Sequence, residues 1–286
     1  MLDYPAAETA ANAALRIAEK FAKKYPDNPQ MQRDLSVSYE RLGDIAKARN
    51  DYRAAEGYYA KALEISERLA EKYPEDPNLQ RNLSVSYNKL GGIAEARNDY
   101  KAAEGYYAKT LEIFEKLAEK YPEDPNLQRG LSVSYNKLGD IAKARNDYKA
   151  AEGYYAKALE IGEKLAEKFP EDPQLQRDLS VSYNKLGDTA KALNDYKAAE
   201  GYYAKALEIS EKLAENFPQV PMLKDDLAVS LFKCGTCSAD GKLSSEQKAM
   251  LRSAAAIWEE LYKQTGYELY AERREIAQNR LNQCSE

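Results

Sequence analysis

The sequence predicts an all-α protein, an α-solenoid of antiparallel helix hairpins stacked side by side. The spacing of its prolines and one recurring five-residue string support this prediction. Ten of the eleven prolines fall in five pairs at a fixed spacing of 48 residues. The string Leu-Ser-Val-Ser-Tyr begins, at the same spacing, at Leu35, Leu83, Leu131 and Leu179. A degenerate copy, Leu-Ala-Val-Ser-Leu, begins at Leu227. Self-similarity with a period of about 20–50 residues is the signature of solenoids and other repeat arrays.

Each repeat is predicted to contain two helices. Asp76 is expected to be the N-cap of the first helix, with Pro77 just inside it. Asn98-Asp99 is a turn signal, and the second helix is predicted from about Tyr100 until Pro122 stops it. No stretch alternates with period two, so no sheet is expected. Apolar residues recur in the first helix at steps of three or four, at Leu79, Leu83, Tyr87, Leu90 and Ala94.

Composition narrows the possible functions. The chain of 286 residues has a formal net charge of −5, which predicts no general attraction to nucleic acid or to an anionic membrane. It has no histidine, which excludes imidazole bases and histidine-ligated zinc. No signal peptide or membrane-spanning run is visible, and the three cysteines near one end argue against a disulfide framework. We therefore expect a cytoplasmic protein without a cofactor or metal.

The core of each unit resembles the tetratricopeptide repeat. Its pattern is an aromatic residue, then Leu-Gly, two small residues, an aromatic and a further small residue. In the first copy these are Tyr39, Leu42-Gly43, Ala46, Ala55, Tyr59 and Ala62, and three more copies follow in register. The resemblance implies a right-handed superhelix of hairpins that serves as a protein–protein interaction scaffold and is not an enzyme. The period of 48 residues exceeds the family's usual 34, so both helices are longer and the curvature is not implied.

The register divides the chain into four parts. Residues 1–26 are interpreted as an orphan second helix, 27–219 as four repeats, 220–266 as a degenerate fifth repeat, and 267–286 as a polar capping helix. About twelve helices are expected. The half repeat at the start suggests the repeat part of a larger, bacterial-type protein, and the alternative is an alanine-rich natural cap.

The resemblance places a binding groove on the concave surface, which the first helices line. Asparagine can donate to and accept from a peptide backbone, and arginine can fork onto a carboxylate. Alternatively, the residues repeat only because the units duplicated, with Asp140 and Lys143 paired, or the partner binds the convex side. Glu40 and Asp44 hold the positions where the family's carboxylate clamp needs Lys and Asn, so that clamp is not expected. The candidate partner-binding ladder is Arg81, Arg129, Arg177, Asn88, Asn136, Asn184, Asp140, Asp188, Lys143 and Lys191.

Three other features have competing interpretations. Cys234-Gly-Thr-Cys237 is either a redox or metal half-site or, as its place in the register favours, core packing. Asp240–Ser244 resembles part of a calcium loop, but the other ligands are missing, so a turn with Ser244 or Ser245 as helix cap is predicted. Trp258 either packs against the last helix or is exposed as an interface anchor.

The predicted function is a scaffold that binds a protein or peptide in the concave groove. The alternative is self-assembly through the open N-terminal helix, which would make the chain a homo-oligomer. A third, weaker hypothesis is an enzyme with chemistry at Cys234 and Cys237.

Overall fold

A computed structural model describes residues 4–283 of the protein. Those residues form twelve α-helices and no strand, which confirms the all-α fold class of packed helix pairs. The bounds are α1 Tyr4–Lys24, α2 Pro29–Ala48, α3 Tyr52–Lys72, α4 Pro77–Ala96, α5 Tyr100–Lys120, α6 Pro125–Ala144, α7 Tyr148–Lys168, α8 Pro173–Ala192, α9 Tyr196–Asn216, α10 Pro221–Gly235, α11 Ser245–Thr265 and α12 Glu268–Gln283. We refer to α2, α4, α6, α8 and α10 as the first helices.

The chain divides into two compact units, Met1–Arg145 and Asn146–Glu286. The first unit holds α1–α6 and the second holds α7–α12. Consecutive helices pack against each other within each unit. The two units are described separately below.

Capping residues set where the first helices begin. The Asp76 side chain accepts hydrogen bonds from the backbone N–H groups of Asn78 and Leu79, and Pro77 is the first residue of α4. These bonds satisfy two of the backbone donors that a helix start leaves open. The same arrangement recurs at Asn28, Asp124 and Asp172. Val220, the corresponding residue before α10, makes no side-chain cap bond.

An asparagine in the left-handed region reverses the chain between the helices of each intact repeat. Asn98 has φ 59°, and Asp99 after it caps α5 by accepting from Ala102 N. Asparagine tolerates this conformation better than most other residues. The other three asparagines in this position have the same conformation, namely Asn50, Asn146 and Asn194.

A glycine lets the two helices of a hairpin approach closely. A Cβ placed on Gly43 would lie 2.6 Å from Cδ1 of Tyr59, and Tyr59 is itself fully buried. Gly91 with Tyr107, and Gly187 with Tyr203, repeat this contact. The Leu-Gly and aromatic positions of the sequence pattern therefore form one knob-in-hole contact in each of these hairpins.

A chain of buried hydroxyl groups links neighbouring repeats. Ser66 Oγ on α3 lies 3.1 Å from Ser36 Oγ on α2 and 3.2 Å from Ser86 Oγ on α4. In the second unit Ser210 on α9 bridges Ser180 and Ser230 in the same way, at 2.9 and 3.1 Å. Because these hydroxyls are buried, each depends on its neighbours for hydrogen bonds, which favours one register of stacking.

The C-terminal hairpin departs from the repeat. The helix α10 has 15 residues where α8 has 20. Ser244 caps α11 in a capping box with Gln247, which confirms the predicted cap after the Asp240 turn. Trp258 is 2 % exposed and packs with Ala277 of α12, so the structure selects packing against the last helix over the exposed alternative.

Candidate functional site

The residues of the predicted ladder lie on the first helices. In each unit separately, we refer to the side of the first helices that carries these residues as the first-helix surface; in the second unit it includes α12. Charged side chains on this surface reach across to the next repeat in many cases, so the structure separates ladder residues that hold repeats together from those that face outward.

The aspartates of the ladder serve the packing between repeats. Asp188 accepts a hydrogen bond of 2.9 Å from Tyr203 Oη and forms an ion pair with Lys233 of the next first helix. Asp44 does the same with Tyr59 Oη at 2.6 Å and Lys89 Nζ at 2.5 Å. Burial, reinforced by the carboxylate, raises the pKa of the Tyr203 hydroxyl. The lysine contacts cross from one repeat to the next, whereas the tyrosine contacts join the two helices of one hairpin. Asp140 holds the corresponding position in α6.

The asparagine position lies between consecutive first helices. Asn184 is only 9 % exposed, and its Nδ2 donates to Ser230 Oγ of α10 at 3.1 Å. Glu40, the corresponding residue in the first repeat, accepts from Ser86 Oγ of α4 at 3.0 Å. Asn88 and Asn136 are partly buried. A peptide could therefore bond to these amides only if they rotated out of the interface between helices.

The basic residues of the ladder differ in accessibility. Arg177 makes a bidentate ion pair with Asp226 of the next repeat, with Nε 2.5 Å from Oδ2 and Nη2 3.2 Å from Oδ1. Lys191 Nζ donates to the Thr236 carbonyl at 3.0 Å. Arg81 is exposed, whereas Arg129 and Lys143 are partly buried. Arg81 is therefore the ladder arginine that is most open to a partner.

A row of valines gives the first-helix surface of the first unit an apolar character. Val85 is 40 % and Val133 is 37 % exposed, at the same position of α4 and α6. The repeat makes this row visible in the sequence, but only the structure shows which of its members face outward.

The second unit carries a cavity of about 630 Å³ that sequence reasoning missed. It lies on the first-helix surface, where α8, α10 and α12 come together, and its apolar lining includes Phe232, Trp258 and Ile276. No periodic signal could have revealed it, because it depends on how the degenerate hairpin ends.

The cysteine pair is built into the core of the second unit. Cys237 is 1 % exposed and packs with Ala190, Ala199 and Tyr203. Burial raises the pKa of the Cys234 thiol to about 12. Both features agree with the packing interpretation, since a reactive thiol needs a lowered pKa and access to solvent. Within residues 4–283 no cluster of three or more metal-ligating side chains occurs, and no helix is long and apolar enough to cross a membrane.

Solved structures with the same fold cover nearly the whole chain. BtubC (BKLC) from P. vanneervenii is 23 % identical with a TM-score of 0.69, over 90 % of this chain and 91 % of that one. The apo form of RapI is 16 % identical with a TM-score of 0.62, over 96 % and 93 %. At these identities the likeness concerns the fold alone. None of the curated proteins matches the sequence.

Family models agree with the repeat pattern. Two models described as tetratricopeptide repeat match residues 82–164 in one case and residues 35–78 and 179–218 in the other, which together are more than half of the chain. Within these ranges lie the glycine–tyrosine contacts described above. The chain belongs to the tetratricopeptide repeat family.

Proposed function

We propose that the protein is a scaffold that binds a peptide or protein segment on its first-helix surface. The observation that carries this proposal is the exposure of Val85 and Val133 on consecutive first helices. Valine has a lower helix propensity than most residues, and these side chains lie outside the core. Folding therefore does not explain why valine stands at these two positions, whereas binding of a partner to an apolar row would explain it.

Neighbouring groups support the same surface. Arg81 lies one turn before Val85 on α4 and is exposed, so it is placed to meet an acidic group of the partner. The asparagines Asn88, Asn136 and Asn184 contribute in this proposal only if binding rotates them outward. Asp140 and Lys143 in the first unit, and Asp188 and Lys191 at the corresponding positions of the second unit, belong to the proposed surface of their own unit.

The test is capture of partners by the full chain and by the double variant Val85→Lys/Val133→Lys. Lysine has a higher helix propensity than valine, so the variant is expected to keep its helicity. The matched control is Leu193→Arg, which changes a residue of similar exposure, 37 %, away from the valine row. Arginine is also the residue at the corresponding positions 49, 97 and 145.

A partner that binds the wild type and the control, but not the double variant, supports the proposal once the purified pair reproduces the difference. A partner that binds all three chains equally would refute binding at the valine row. Circular dichroism of each chain separates a loss of binding from a loss of fold.

A second candidate function is self-assembly through α1. Ile17 is 58 % and Phe21 is 44 % exposed, whereas the corresponding residues of α3, Ile65 and Leu69, are 5 % and 7 % exposed. In the repeat that face is covered by first helices, so α1 presents an apolar face that a second copy could cover. Sedimentation equilibrium tests this: a monomer at every concentration would refute it, and an oligomer that Ile17→Glu/Phe21→Glu dissociates would support it.

A further inference from the structure

The cavity of the second unit lies where the fifth repeat ends early. The helix α10 is five residues shorter than α8, and both Lys191 of α8 and Thr236, the C-cap residue of α10, line the cavity. Phe232 also occupies the position that Asn184 holds one repeat earlier. The result is an open space with an aromatic wall, in which the Phe232 and Trp258 ring centroids lie 5.9 Å apart.

The cavity is large enough for a bulky side chain. Its volume of about 630 Å³ lies within the range of ligand sites, and such sites combine an apolar lining with a few polar groups. Ile276 of α12 lines it while remaining 56 % exposed, so apolar surface faces outward at its mouth. The cavity lies on the first-helix surface of the second unit, where Val229 holds the position of Val181 one repeat earlier.

The charges that line the cavity are three cations and one carboxylate. Lys233 is neutralised by Asp188, and Arg273 by Asp225, which lies 2.5 Å away on α10. Lys191 Nζ instead donates to the Thr236 carbonyl at 3.0 Å. A carbonyl offers only a partial charge, so the Lys191 ammonium keeps its net charge at the cavity wall. The cavity therefore favours a ligand that carries an anion beside an apolar group.

We propose that this cavity receives one bulky apolar side chain of a bound peptide, and that Lys191 pairs with a carboxylate on the adjacent residue of that peptide. The inference rests on the proposed function, and it names both the end of the surface where the peptide is anchored and the chemistry of the anchor. A peptide is favoured over a free organic acid because the cavity is continuous with the first-helix surface of the same unit, which can hold the rest of an extended chain.

The chain carries its own reporter for the test. Trp258 is the single tryptophan of the sequence, and it lines the cavity while being 2 % exposed. The probe is a hexapeptide, blocked at both ends, with one phenylalanine followed by one glutamate in a glycine–serine background. Titration into the full chain should change the Trp258 emission in a saturable way. Peptides with glutamine for glutamate, or serine for phenylalanine, should bind at least about tenfold more weakly.

Two variants and a control locate the pairing. Lys191→Gln should weaken the glutamate peptide about tenfold and leave the glutamine peptide unchanged, since only the former loses an ion pair. Phe232→Asn, which restores the residue of the other repeats, should weaken both peptides. Lys47→Gln changes the corresponding lysine of the first repeat, which is exposed, and should change neither.

Three results would overturn the proposal. The first is no saturable change in emission with the glutamate peptide. The second is an equal effect of Lys191→Gln on both peptides. The third is equal affinity for 3-phenylpropionate, which would make this a site for small organic acids. The proposed function is tested independently, because the Val85→Lys/Val133→Lys capture concerns the first unit.

Discussion

The close contact between Phe114 and Gly130 predicts that Gly130→Ala changes the stability of the protein in opposite directions with and without the Phe114 ring. Residues 76–123 and 124–171 differ at only six of 48 positions, and Phe114 and Gly130 belong to two of these six. A Cβ on Gly130 of α6 would lie 2.5 Å from Cζ and 2.6 Å from Cδ1 of the Phe114 ring on α5. The ring is 8 % exposed and packed with Leu117 and Leu127, so it has little room to move.

The expected magnitude follows from two opposing terms. Alanine is favoured over glycine by about 1 kcal/mol in a helix interior. Forcing a methyl group into a packed core costs about 1–3 kcal/mol, and the upper part of that range applies because the obstacle is a buried ring. Gly130→Ala should therefore destabilise the protein by about 1–2 kcal/mol. With Phe114→Ser, which restores the residue found at Ser66, the obstacle is gone and Gly130→Ala should stabilise by up to about 1 kcal/mol.

The assay is a double-mutant cycle of wild type, the two single variants and the double variant. Repeat proteins open in parts, so urea unfolding is best read together with native-state hydrogen exchange of α5 and α6 amides. Phe114→Ser alone should cost about 3–5 kcal/mol through lost burial and the cavity left behind. The coupling energy should be about 2–3 kcal/mol. If Gly130→Ala has the same effect in both backgrounds, the steric reasoning is wrong.

Three further predictions concern single sites. Val220→Asp should raise the unfolding free energy by about 1 kcal/mol, because it restores the N-cap that α10 lacks; an unchanged thermal melt would contradict this. Gly162→Ala should stabilise by about 0.5–1 kcal/mol in urea titrations, since the nearest side-chain atom, Leu179 Cδ1, would lie 3.7 Å from the new Cβ; destabilisation would show hidden crowding. Burial raises the pKa of the Glu40 carboxyl, so its ionised form disfavours the folded state. Glu40→Gln should therefore stabilise the protein near neutral pH, and this gain should shrink as the pH falls through the raised pKa and the wild-type carboxyl becomes protonated; a gain that does not depend on pH would refute the electrostatic cause.

Local signals in the sequence determined the helices and their order. Asp76-Pro77 and Ser244 begin helices because their side chains accept hydrogen bonds from neighbouring backbone N–H groups, an interaction that needs no distant residue. The asparagine between the two helices of each intact repeat is also a local signal, because it tolerates positive φ by itself. The spacing of 48 residues then fixes which helices correspond, so the fold class and the family pattern were predictable from the sequence.

The roles of the surface ladder were decided by tertiary structure. Asp188 and Asn184 recur at helical spacing like Val133 and Arg81, and the sequence placed them all on one face. Only the packing of the next first helix shows that Asp188 meets Lys233 and that Asn184 meets Ser230, which leaves the valines outward. A one-dimensional pattern gives the direction of a side chain from its own helix, but it cannot give the position of a neighbouring helix.

The sequence by itself determined the repeat, its helix starts and turns, and the family, because these depend on interactions within a few residues and on a period repeated along the chain. The tertiary structure decided which ladder residues are accessible, where Trp258 packs, and that a cavity lined by Phe232 and Lys191 lies beside the shortened α10. These features depend on distances between side chains on different helices, and those distances are set only when the helices pack.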